Sequence, residues 1–172
     1  MNGAAVRRTT AALAATSLLW LAAVVAAPHA LEAAPGTPVR LGAGTIYLAG
    51  RVVCHQKPER SFAAAGHPLP VCARCTGIYA AAPLAFLLAL ALPGGAARNL
   101  WAWPATRRGL LVAALPAAAS VVVEWTAGWT DPGLRAATGA ILGFAGAGIV
   151  SASLASRPMG AAATLPPPLP SP

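Results

Sequence analysis

Apolar residues run almost uninterrupted through four stretches of the chain, and polar residues gather in the breaks between them. The first stretch covers residues 9–27, directly behind Arg7 and Arg8, and holds no charge. Its 19 residues approach the length of about 20 that a helix needs to cross a bilayer. A secretory signal peptide has a shorter apolar core. The Ala-rich end before Pro28 has the look of a cleavage site, yet the length favours a retained transmembrane helix.

Residues 28–70 are polar and broken by Pro and Gly, apart from one mildly apolar patch at 41–53 that Arg51 interrupts. That patch is too short to span and is expected to lie in the interface or re-enter. The second span opens within 71–76 and reaches Leu92, where Pro93-Gly94-Gly95 is expected to end the helix. The loop up to Arg108 carries Arg98, Arg107, Trp101 and Trp103, and the two indoles suit headgroup depth. A third span covers 109–125 with Pro116 as a kink point. A turn with Trp129, Asp131 and Pro132 leads to a fourth at 134–155. There Gly139, Gly143 and Ala147 recur every four residues, a spacing that lets two membrane helices approach closely. From Pro158 the chain is Pro-rich and aperiodic, so disorder is expected. The organisation read from this pattern is an N-terminal helix (1–27), a polar loop (28–70), a three-helix membrane unit (71–157) and a tail (158–172).

Composition agrees with the pattern. The chain of 172 residues is 57% hydrophobic and 9% charged, whereas a soluble domain is about 25% charged. The fold class is therefore all-α: an integral membrane helical bundle of three to four transmembrane helices, with the lipid bilayer as its first partner. The net charge of +8 comes mostly from Arg placed between apolar runs. It forms no dense stripe, which speaks for membrane flanks rather than nucleic acid.

Spans two and three form a hairpin, so residues near Cys72 share a membrane face with Glu124, Asp131 and Arg135. If the N-terminus is cytoplasmic, the basic residues divide evenly between the two sides. The short 98–108 loop and the Arg7-Arg8 start carry most weight under the positive-inside rule, which puts the Cys-bearing face outside.

All three cysteines, Cys54, Cys72 and Cys75, and two of three histidines, His55 and His67, fall within 22 residues. One reading is a site for zinc or another soft transition metal, with ligands Cys54, His55, Cys72 and Cys75, since Cys-x2-Cys is a common half-site. Adjacent Cys54 and His55 reach one ion awkwardly, and His67 is a substitute. A second reading is a membrane thiol-disulfide oxidoreductase using Cys72-x-x-Cys75, with the helix N-terminus and Arg74 favouring the thiolate. A third is a structural disulfide or buried thiols. Gln56, Lys57, Arg60 and Arg74 offer a cationic surround for an anion. Glu124 lies near the end of an apolar run, where a charge is costly and faces the bundle or a cavity. Arg135 is its expected partner, so Arg60, Arg74, Glu124 and Arg135 form a second candidate polar site. No Walker A loop, HExxH or serine-nucleophile motif occurs, and enzymatic activity is left open.

The segments Cys54-His55-Gln56, Pro58-Glu59-Arg60-Ser61-Phe62 and Leu69-Pro70-Val71-Cys72-Ala73-Arg74-Cys75-Thr76-Gly77-Ile78-Tyr79 resemble the DUF2085 family of predicted bacterial membrane proteins. Arg135, Thr138-Gly139 and Gly143 fit the same resemblance, which covers about residues 45–150. It implies a multi-pass protein of a bacterial cell membrane, with Cys54, His55, Cys72 and Cys75 on the family's Cys and His positions. His67 has no place in the pattern, and Glu124-Trp125 stands where the family usually has Asp-Gly. The resemblance implies no activity.

Overall fold

A computed structural model describes residues 3–92, 94–102, 106–128 and 131–156. Trp103, Trp129, Arg157 and the Pro-rich tail lie outside the described residues. Six α-helices follow in order: α1 Gly3–Ala30, α2 Pro38–Val53, α3 Ala73–Ala91, α4 Gly94–Ala102, α5 Arg107–Ala127 and α6 Pro132–Ala155. Of these, α1, α3, α5 and α6 are long and apolar enough to cross a membrane. Several of their hydroxyl side chains bond back onto the helix itself. Thr10 and Ser17 of α1 donate to the carbonyls of Val6 and Leu13, and Ser151 of α6 donates to that of Ala147. A hydroxyl satisfied within its own helix costs little in an apolar medium.

Helix ends follow local chemistry. Thr106 caps α5 by accepting from Gly109 N at 3.0 Å, and α5 ends at Gly128 in the left-handed conformation (φ 64°). Asp131 caps α6 through Leu134 N at 2.6 Å, with Pro132 at the first helical position, where its missing N–H is no loss.

The centre of the bundle is the pair α3 and α6, which run parallel and in the closest contact. A Cβ built on Gly77 would collide with the Ala136 carbonyl, one on Gly139 with that of Arg74, and one on Gly143 with that of Ile78. These glycines let two backbones touch, so dispersion contacts accumulate along the seam. Helix α1 packs antiparallel against α3, its Arg7 reaching the Leu90 carbonyl at 3.2 Å, and α2 packs on α1. Helix α5 rests on α6 and is the least buried span. Its outward Leu110, Leu111, Leu115 and Val122 are the side chains a bilayer would cover.

The structure sharpens three local readings. The 41–53 patch belongs to a regular amphipathic helix, α2, started by Thr37 and Pro38. Helix α3 ends at Ala91 with Leu92 as its cap, as expected, and Gly94 and Gly95 then open a further short helix, α4. Trp101, expected at headgroup depth, is 2% exposed. Gly148 leaves room on α6 for its ring, which also packs on Phe144 with centroids 5.1 Å apart. Burying so large an apolar ring outweighs its interfacial preference.

Candidate metal centre and ion bridge

The loop between α2 and α3 is held by a small set of polar struts. Gln56, at φ 48°, donates through Nε2 to the carbonyls of Tyr47 and Pro70, each at 2.6 Å. Tyr47 Oη donates to the Pro68 carbonyl at 2.5 Å, and burial raises its pKa. Gly50 permits the contact, because a Cβ there would strike the Pro70 carbonyl and Gln56 Nε2. A one-turn 3-10 helix, Pro58–Arg60, precedes a minimal hairpin that pairs Ala63 with Pro68 and Ala64 with His67. Ala65 and Gly66 both take positive φ at its turn, the geometry that suits the right-handed twist of paired strands. Leu69 N then bonds Phe62 O at 2.8 Å, which delivers Val71 and Cys72 to the start of α3.

This path brings the three thiols together. Cys54 ends α2, with its N–H on the Gly50 carbonyl; Cys72 is the residue before α3, and Cys75 lies in the first turn. Their sulfurs lie within 4.8 Å of one another, and the Cys72 N–H donates to Cys54 Sγ at 3.2 Å. Val24, Leu69 and Val71 pack around Cys54, while Trp20 meets Tyr79 edge-on at 5.9 Å. All three cysteines are free thiols. A hydrogen bond from the Cys75 thiol, partly opposed by burial and aided by the Cys75 N–H, the Cys54 thiol and the Arg74 N–H, lowers the Cys72 pKa from 9.0 to about 5. The sequence expectation gave Arg74's charge this part. In the structure its first-turn amide contributes, while its guanidinium reaches toward α5.

His55 is exposed and His67 half-buried on the hairpin; neither joins the trio of sulfurs. Gln56 serves as a strut, and Lys57 is exposed. Arg60 ends the 3-10 turn, half-buried, and takes no part in an ion pair among the described residues.

The other expected polar residues do converge. Arg74 Nη2 lies 3.1 Å from Glu124 Oε1 and donates to Ser120 Oγ at 2.8 Å. Arg135 Nη2 lies 2.8 Å from Glu124 Oε2. One buried carboxylate thus joins α3, α5 and α6. Ser120 was missed in the sequence, although its place four residues before Glu124 puts it on the same helical face. Gly50 was missed as well; its spacing from Cys54 carries no signal until the strap at Pro70 is seen.

The sequence model of the family described as "Predicted membrane protein (DUF2085)" matches residues 54–149, more than half of the chain. An uncharacterized protein of Methanothermobacter thermautotrophicus is 56% identical over 43 residues, 25% of this chain and 39% of that protein. An uncharacterized protein of Methanocaldococcus jannaschii is 53% identical over 34 residues, 20% and 22% of the two chains. The chain thus spans well under half the length of either relative. No solved structure matches.

Proposed function

The chain belongs to the DUF2085 family of predicted membrane proteins, and from that premise we infer a multi-pass membrane protein that binds a soft transition metal, zinc first, at one membrane face. The observation that carries this reading is the convergence of Cys54, Cys72 and Cys75, free and within 4.8 Å of one another, from two helices and a braced loop. A tetrahedral zinc site with bonds of about 2.3 Å holds its sulfurs about 3.8 Å apart, a small contraction from that limit. Cys72, already favoured as a thiolate, is the first ligand, and the metal displaces protons from the other thiols. Exposed His55, next to Cys54, supplies the fourth ligand by turning its ring toward the sulfurs. The positive flank at Arg7, Arg8, Arg107 and Arg108 supports an extracytoplasmic cluster in a bacterial cell membrane.

Metal analysis of protein purified under reducing, chelator-free conditions tests the reading. One equivalent of zinc, copper or iron per chain is expected, lost in Cys75→Ser and weakened in His55→Ala. Metal-free protein whose three thiols all titrate with a disulfide reagent refutes it.

A further inference from the structure

The bridge joining α3, α5 and α6 is unbalanced. Two guanidinium groups face a single carboxylate, and the group is deeply placed: the Glu124 and Arg135 side chains are 6% and 4% exposed. Asp131, the nearest other carboxylate along the chain, is engaged in capping α6 at Leu134 N. The N–H groups are also incompletely matched. Arg74 Nε and Arg135 Nε find no hydrogen-bond partner among the described residues. Arg135 Nη2, although close to Glu124, is not aligned for a hydrogen bond. Buried donors left unmatched cost more than a hydrogen bond returns, and an uncompensated buried charge costs more still. Buried Arg–Glu–Arg triads occur as structural elements; this one carries an uncompensated positive charge together with unmatched donors.

We propose that Arg74 and Arg135 form a binding site for a phosphate-type oxyanion, with Glu124 holding the two guanidinium groups apart and oriented. The planar fork of arginine matches phosphate oxygens in a way an ammonium does not, and the unmatched Nε–H groups are the donors available for it. The first turn of α3 contains no acidic residue, so the helix N-terminus adds positive potential beside Arg74. The oxyanion comes from a lipid headgroup or from free phosphate. An apolar groove of about 630 Å³ lies between Ala81 of α3, Trp101 of α4, Pro116 of α5 and Ile141 of α6. The site is independent of any metal at the thiols.

Full-length protein in neutral detergent is titrated with inorganic phosphate, and in parallel is placed in phosphatidylcholine nanodiscs with or without phosphatidylglycerol. Thermal midpoint and native mass spectrometry are read. One phosphate or one phosphatidylglycerol per chain is expected, with a raised midpoint. Arg135→Gln and the less buried Arg74→Gln each weaken binding by about tenfold or more, as for loss of a charge-assisted hydrogen bond. Glu124→Gln, left with two uncompensated arginines, is less stable without the anion and gains more from it than the parent. Arg107→Gln and Arg108→Gln, exposed at the opposite end of α5, leave the response unchanged. Binding of inorganic phosphate identifies a free oxyanion, whereas a response to phosphatidylglycerol alone identifies a lipid headgroup. The proposal is overturned if neither probe binds, if folded Arg74→Gln binds as the parent does, or if Arg107→Gln loses as much. Should Arg135→Gln fail to fold, Arg74→Gln and the Glu124→Gln rescue decide.

Discussion

Replacing Gly139 by Ala adds one methyl group where the structure leaves none. The new Cβ would overlap the Arg74 carbonyl, with the Arg74 carbonyl carbon at 2.9 Å and Cα at 3.1 Å behind it. These are backbone atoms and cannot rotate away, so α3 and α6 must separate. Gly146, on the same helix, has nothing within 4 Å of an added Cβ and serves as the control. Both changes gain the roughly 0.5–1 kcal/mol of helix preference that Ala holds over Gly, so this contribution cancels in the comparison. What is left is the steric cost, about 1–3 kcal/mol for an overpacked contact. Reversible unfolding in detergent, followed by tryptophan fluorescence to which buried Trp101 contributes, reports it. Gly139→Ala should be less stable than Gly146→Ala by that amount. Equal stability would refute the close α3–α6 contact, and with it the placement of Arg74 beside Glu124.

Other outcomes follow from the loop and the thiols. Gly50→Ala, which sets a Cβ against the Pro70 carbonyl and Gln56 Nε2, should push α2 from the strap and lower metal affinity while leaving helix content unchanged; circular dichroism and metal competition check both. In metal-free protein the depressed Cys72 pKa stabilises the fold fully above the ordinary thiol pKa of 9.0. This contribution shrinks as pH falls and is gone below about 5. Denaturation of parent and Cys72→Ser across pH 4–9 should show a steeper rise of stability with pH in the parent. A membrane-impermeant maleimide applied to intact cells should label the thiols once metal is chelated, and labelling only after lysis would reverse the assigned sidedness.

Much of the fold was legible because a bilayer imposes a length and a composition on each span. Four apolar runs whose few charges, Arg74, Glu124 and Arg135, lie near their ends leave few alternatives to helices, and the four-residue spacing of Gly139 and Gly143 announced a close helix contact. The hairpin parity of the spans also placed Cys72, Glu124 and Arg135 on one face before any coordinates. Local pattern could not decide what fills a particular gap. Trp101 reads as interfacial until Gly148 is seen to make room for its ring, and only the structure separates the three converging sulfurs from exposed His55, whose ring must turn to join them. Arg60 and Arg74 look alike in the sequence; only the packing of α3 beside α5 and α6 gives Arg74 a carboxylate and leaves Arg60 without one. The sequence by itself determined which segments are long and apolar enough to cross a membrane, since that depends on each segment's own composition. The tertiary structure decided which thiols converge and how two arginines come to share one glutamate, since those depend on backbone approaches set by Gly50, Gly77 and Gly139 across distant parts of the chain.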